Sequence, residues 1–269
     1  HIRSRVKLMP IQQMLLGAGG PPPAEPLGAL PVSGALWYYD GYYFTNSGGS
    51  LTWTDQSGNG RHMSTAGGRM GNNIAQDEAS KGQNYLTSSR KFIKNTVVSD
   101  GMRWNGSSGY WPGTSYTLMH IMGRQLTSGT GSIGRIWDGF GINWLSGYHD
   151  TSEGVFYHDG WITTTNLNTQ TSFLVIIDRK DKVRAKGLDI NGNGVDSGYQ
   201  SSSGRGAPTT ANGVGINCGN YSGDINSGSA PPGGEASFWK SIMCACWNGD
   251  IGDTDCNTLI NWGYNKLYG

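Results

Sequence analysis

Short apolar runs divided by glycine-rich turns fill most of the chain, and few are long enough for a free helix. The spacing predicts strands over 35–39 and 51–54, with Asn46-Ser47-Gly48-Gly49 turning between them. Tyr116, Leu118, His120 and Met122 alternate with Thr117, Met119 and Ile121. Neither set is polar, so this strand is expected to be covered on both faces. Further strands are expected over 133–137, 142–145, 155–157 and 213–217. The clearest buried strand is 173–177, with Asp178-Arg179-Lys180-Asp181 as its solvated exit. Residues 61–101 are polar and weakly periodic, and read as loop with one or two short strands.

From Ser237 onward the pattern changes. Ile242 to Trp247 is an apolar run ended by Asn248-Gly249-Asp250. Asp253 or Thr254 then caps a final helix. Cys256, Leu259, Ile260, Gly263 and Leu267 fall at helical spacing on one face of it. Many short strands joined by turns indicate an all-β sandwich, here closed by one C-terminal helix. Residues 1–33 read as a separate unit. A basic stretch, His1 to Leu8, precedes a candidate initiator, Met9. An apolar plug, Ile11 to Leu16, is followed by glycines and a proline-rich stretch that acts as a stiff spacer. The expected organisation is an attachment arm and linker over 1–33 and a sandwich over 34–269.

Three motifs carry a family resemblance. Trp53-Thr54-Asp55-Gln56-Ser57-Gly58-Asn59-Gly60 resembles the opening motif of the concanavalin A-like, laminin-G-type jelly rolls. Met102-Arg103-Trp104-Asn105-Gly106 is similar to that family's strand-plus-glycine turn. Trp247-Asn248, followed by Leu259 through Gly269, resembles its closing strand and terminal helix. The resemblance implies a two-sheet antiparallel jelly-roll sandwich over 34–269, with Trp53 and the closing helix in one core. It implies no single activity, because this fold hosts lectins, adhesins, structural modules and glucanases. A second resemblance covers the leader, Met9 to Gly20, which is similar to the amino-termini of virion proteins of tailed phages of marine bacteria and cyanobacteria. It implies attachment to other virion proteins through Ile11, Met14, Leu15 and Leu16, at the virion surface. So short a plug buries too little to hold one copy, and a homo-oligomer, by preference a trimer, is expected.

Composition narrows the partners. The formal net charge is +1, which leaves no electrostatic footprint for nucleic acid. No apolar run approaches the ~20 residues of a membrane span, and Met14-Leu15-Leu16 is too short for a secretory core. Cys218, Cys244, Cys246 and Cys256 lack metal-knuckle spacing and read as small buried hydrophobes. A bridge between Cys246 and Cys256 is the weaker alternative.

Three kinds of chemistry remain. Glucanases of this fold place two Glu close together on one strand, whereas Glu25, Glu78, Glu153 and Glu235 are scattered. A non-enzymatic protein is therefore expected, with a carbohydrate-active enzyme or a free lectin as the alternative. Asp189, Asn191, Asn193 and Asp196 match the first half of a calcium loop. The repeated Asn-Gly also reads as hairpin-turn chemistry, which is the stronger reading; calcium is the one candidate cofactor. Between Asp138 and Trp161, aromatics cluster among Gly, Asp and Asn, as sugar faces and hydroxyls require. Trp137 and Trp144 read as core. Tyr148, His149, Asp150, Tyr157, His158 and Trp161 flank polar turns and are the candidate glycan-binding residues, with a host-surface glycan as ligand.

Overall fold

The alternation along the chain resolves into two antiparallel sheets. The structure is a computed structural model and describes residues 22–98, 100–104, 109–125, 134–170, 172–217 and 236–269. The attachment residues Ile11, Met14, Leu15 and Leu16 lie outside the described residues. In chain order the strands are β1 (Ala35–Ser47), β2 (Ser50–Asp55), β3 (Met63–Ser64), β4 (Ile74–Ala79), β5 (Arg90–Asn95) and β6 (Met102–Trp104). There follow β7 (Tyr116–Arg124), β8 (Trp137–Gly139), β9 (Trp144–His149), β10 (Ser152–His158), β11 (Trp161–Thr163) and β12 (Leu174–Arg179). The last are β13 (Lys182–Leu188), β14 (Gly194–Asp196), β15 (Gln200–Ser201), β16 (Val214–Ile216) and β17 (Trp239–Asn248), before the helix α1 (Gly252–Tyr268). The large sheet runs β14-β13-β12-β7-β17-β1-β2-β3, with β15 on β13, β5 on β17 and β4 on β5. The small sheet runs β11-β10-β9-β8-β16-β6. Residues 61–101, expected to be loop with one or two short strands, supply β3, β4 and β5, with β3 beside β2 and β4 joined through β5 to β17.

Strand parity divides the apolar residues into two cores. On the inner side, Trp37, Tyr39, Leu118, Leu174, Ile176, Cys244 and Cys246 of the large sheet meet Trp104, Trp137, Trp144 and Phe156 of the small one. The centre is a column of indoles. Trp104 stacks on Trp37 at 5.3 Å and on Trp137 at 4.8 Å. On the outer side of the large sheet, Tyr38, Met119, Ile121, Val175, Ile177, Met243 and Ala245 meet Cys256, Leu259, Ile260 and Leu267 of α1. The strand β7 is thus buried on both faces, as its two apolar sets require. Gly263 lets the helix lie close, since a β-carbon there would come within 2.8 Å of Val175 and 2.9 Å of Met119.

Three details correct the sequence reading, and the cysteines keep theirs as small buried residues. Trp53 sits in the inner core and α1 covers the outer one, because the large sheet lies between them. Cys246 and Cys256 fall on opposite sides of that sheet for the same reason, and Cys244, Cys246 and Cys256 are free thiols. The helix is not capped by its own Asp253. The Asp250 carboxylate accepts the Gly252 N–H at 2.8 Å, and Asp253 is held by Arg179 and Lys182. The proline-rich spacer does not stand clear of the sandwich: its described part is a strap laid on the outer core, with Leu27 only 1 % exposed. Arg90 fastens the strap to the helix, donating to the carbonyls of Glu25 at 3.0 Å and Lys266 at 2.8 Å.

Candidate functional site

The candidate glycan-binding residues separate by strand parity. In β9, Trp144, Ser146 and Tyr148 point inward, and His149 points outward. In β10, Phe156 and His158 point inward and Tyr157 points outward.

The inward set joins the sheets. Tyr148 is buried and its hydroxyl donates to the Met122 carbonyl at 2.6 Å; burial pushes its pKa well above the ordinary phenol value. His158 is fully buried, with Nε2 3.1 Å from Asp178 Oδ2 and its ring stacked on Trp144 at 5.5 Å. Asp178 also accepts from the Tyr116 hydroxyl at 2.9 Å, and Trp144 Nε1 donates to that hydroxyl at 3.1 Å. A parallel bridge joins His120 Nε2 and Ser146 Oγ at 3.1 Å. Burial pushes the His120 pKa down to about 3, so the ring is neutral. Tyr148 and His158 are therefore not surface residues, and Asp178 and Arg179 are not a solvated exit. Asp178 continues the inward series Leu174, Ile176, Asp178 and finds a partner on the other sheet. Arg179 points outward to Asp250 at 2.6 Å and to Asp253.

The outward set forms a row on the outer face of the small sheet. Trp161 opens the edge strand β11 opposite Tyr157 and is 43 % exposed. The Tyr157 ring stands edge-on to it at 5.2 Å and the His149 ring at 5.4 Å. His149 ends β9, so the row runs diagonally across β10. Leu145, which pairs with Tyr157, and Val155 are buried. Arg205 Nη2 donates to the Trp161 carbonyl at 3.4 Å and anchors the edge strand from outside. Asp150 and Asp159 are exposed in the turns before and after β10, both with left-handed backbone at φ 52°. An indole face braced edge-on by two rings, with exposed carboxylates at the two ends of β10, suits the apolar face of a sugar.

The remaining candidates serve the fold. The Asp189 carboxylate accepts the N–H groups of Asn191 and Asn193 at 2.8 Å each, and Asn193 Nδ2 at 3.2 Å. The Asn193 N–H leads in holding its pKa below the usual carboxylate range. Asp196 is gripped at both oxygens by Arg184, at 2.9 and 2.6 Å. Asp189, Asn191 and Asn193 form the β13–β14 hairpin turn and Asp196 ends β14, and these hydrogen bonds hold the turn together. Among the described residues no group of three or more His, Cys, Asp or Glu could hold a metal. Glu153 is buried and accepts from Thr169 Oγ1 at 2.7 Å and the Gln170 N–H at 2.6 Å. Glu25 lies on the strap and Glu78 on β4, so the described glutamates occupy separate elements.

No protein-family model and no curated protein matches the sequence. Several solved structures align with it at low identity, among them these three. A protein of unknown function from Shewanella oneidensis MR-1 aligns over 93 % of this chain and 100 % of its own, at 9 % identity and a TM-score of 0.38. Trypanosoma rangeli sialidase in complex with sialic acid aligns over 88 % of this chain and 35 % of its own, at 13 % identity and a TM-score of 0.43. The binding domain of Paraclostridial Mosquitocidal Protein 1 aligns over 85 % of this chain and 52 % of its own, at 10 % identity and a TM-score of 0.39. The chain thus spans about a third of the sialidase and half of the toxin domain, and its own two antiparallel sheets make it a β-sandwich.

Proposed function

We propose that the chain is a non-enzymatic, carbohydrate-binding sandwich, with the His149–Trp161–Tyr157 row as the binding face. The observation that carries this reading is Trp161, a large indole 43 % exposed on an edge strand and supported edge-on by two rings. The carboxylates support binding rather than hydrolysis. Asp150 and Asp159 flank opposite ends of β10, a strand of seven residues, which at ~3.3 Å per residue sets their backbones about 20 Å apart. Acid and nucleophile or base in a glycosidase sit about 5–9.5 Å apart. The finer reading is display on a virion surface as a fibre or decoration. It rests on the resemblance of the leader, with Ile11, Met14, Leu15 and Leu16 docking on virion proteins and the chain assembled as a trimer. A glycan array probed with native protein and Trp161→Ala tests the binding face. Native binding that drops at least tenfold in the variant, at unchanged melting temperature, is expected. Absent native binding, or equal binding by the variant, would leave a structural role with no ligand at this face. Mass measurement in solution tests the trimer, and a strict monomer refutes it.

A further inference from the structure

Beyond the Arg90–Glu25 contact, the strap is fastened at two further places and bows between them. At the first, the Leu27 N–H donates to Asp40 Oδ2 at 2.7 Å and the Tyr38 hydroxyl to the Gly28 carbonyl at 2.9 Å. At the second, Trp247 Nε1 donates to the Ser33 carbonyl at 2.9 Å. Gly28 and Gly34 stand at the two ends of the bow with φ of +89° and +78°, a left-handed backbone that glycine adopts without strain. Between the bow and the turn that follows β2 lies a cavity of about 480 Å³. That volume is within the range of sites for small ligands. Leu30, Val32 and Tyr43 line one side, and Gln56, Ser57 and Asn59 the other.

The cleft is lined by no carboxylate, ammonium, guanidinium or imidazole group, so a charged ligand finds no counter-ion. The carboxylate behind it is spent. Asp55 accepts from the N–H groups of Tyr38, Ser57 and Arg61 and from Ser57 Oγ, at 2.9–3.0 Å. Both Asn59 amide donors are spent as well, and one of the two on Gln56. Asn59 Nδ2 donates to the carbonyls of Ala35 and Leu36, and Gln56 Nε2 to that of Thr54. Their amide oxygens remain, so the polar wall accepts hydrogen bonds. A matching ligand is neutral, rich in hydroxyl donors along one edge and apolar on one face, which describes a pyranose ring.

We propose that the cleft between the strap and the turn at 56–59 binds a neutral saccharide of one or two residues. The site lies on the strap side of the large sheet, away from the aromatic row, and does not depend on it. Saturation-transfer NMR of the full chain with cellobiose, maltose and lactose tests it, using Gln56→Leu, which removes the acceptor, and Ala29→Phe, which fills the space from an exposed position. Transfer to at least one disaccharide is expected, at least fivefold weaker in both variants and retained in Trp161→Ala. Melting temperatures report that each variant is folded. No transfer to any of the three sugars overturns the proposal, and so does transfer that persists in both cleft variants. Transfer lost only in Trp161→Ala overturns it while supporting the aromatic row.

Discussion

Acid should loosen the join between the sheets through His120. The ring is fully buried, Nε2 faces Ser146 Oγ, and Nδ1 has no hydrogen-bond partner among the described residues to share a second proton. Its pKa is pushed down to about 3 from 6.5 by burial. The unfolded chain therefore takes up a proton at this position between pH 6.5 and 3, and the folded chain does not. Stability from this group is fully present above pH 6.5 and is lost as pH falls toward 3. Each pH unit within the window costs about 1.4 kcal/mol, so lowering the pH from 7 to 4.5 costs about 2.5 kcal/mol. The carboxylates whose pKa is lowered, Asp77, Asp189, Asp196 and Asp253, release their stabilisation only below the ordinary carboxylate value, outside most of that interval. His120→Gln keeps a polar group against Ser146 and cannot take the charge. Urea unfolding of both proteins at pH 7 and 4.5 isolates the contribution, provided the slope with urea is unchanged. Native protein should lose about 2.5 kcal/mol more than the variant. A difference under about 0.5 kcal/mol would show that the ring protonates in place and that the linkage reasoning is wrong.

The other predictions concern stability and metal. Leu259→Ala empties a buried site on the helix face and should cost about 2–5 kcal/mol in urea unfolding; a change within error would make α1 peripheral. A chain shortened to begin at Gly34 should be less stable than the full chain by at least the ~1.5–3 kcal/mol of burying Leu27. Asp40, Tyr38, Arg90 and Trp247 also lose strap partners, and an unchanged midpoint would show that the strap contributes nothing. Calcium at about 5 mM, above the ~1 mM of weak protein sites, should leave the melting temperature unchanged. A calcium-dependent rise abolished by Asp189→Ala would restore the hairpin turn as a metal site.

Periodicity within one element was readable from the chain. The face of α1 formed by Cys256, Leu259, Ile260, Gly263 and Leu267 needs only the helical repeat, and these are its buried residues. The two apolar sets of β7 likewise showed that both faces would be covered. Pairings across the sheets were harder, because they link residues far apart in the chain. Asp178 lies among Arg, Lys and Asp and reads locally as solvated. Yet it has the parity of Leu174 and Ile176, and its partner is His158 on the opposing sheet. Extended over β9 and β10, the same parity puts Tyr148 with Trp144 and His158 with Phe156, and that signal was present in the sequence. The placement of Leu27 was not, since a proline-rich stretch encodes an extended backbone and not the gap it fills.

The two faces of the small sheet then carry different burdens. Inside, His158–Asp178, His120–Ser146 and Tyr148–Met122 are hydrogen-bonded pairs that bridge the sheets. Buried polar groups are tolerated only when paired, and pairing of this kind fixes how one sheet sits on the other. Outside, folding does not ask for Trp161. An indole left 43 % exposed keeps apolar surface in water and forfeits part of the roughly 25 cal/mol per Å² that burial would contribute. A smaller polar residue would hold the edge of β11 without that loss, and would also discourage pairing with another sheet edge. His149 and Tyr157 nevertheless brace the ring from two sides, so the indole is oriented although it is not covered. An oriented, uncovered aromatic is what a ligand's apolar face requires and what the sandwich itself does not. With Tyr148 and His158 in the core, Trp161 and its two supports are what favours a binding face at this edge.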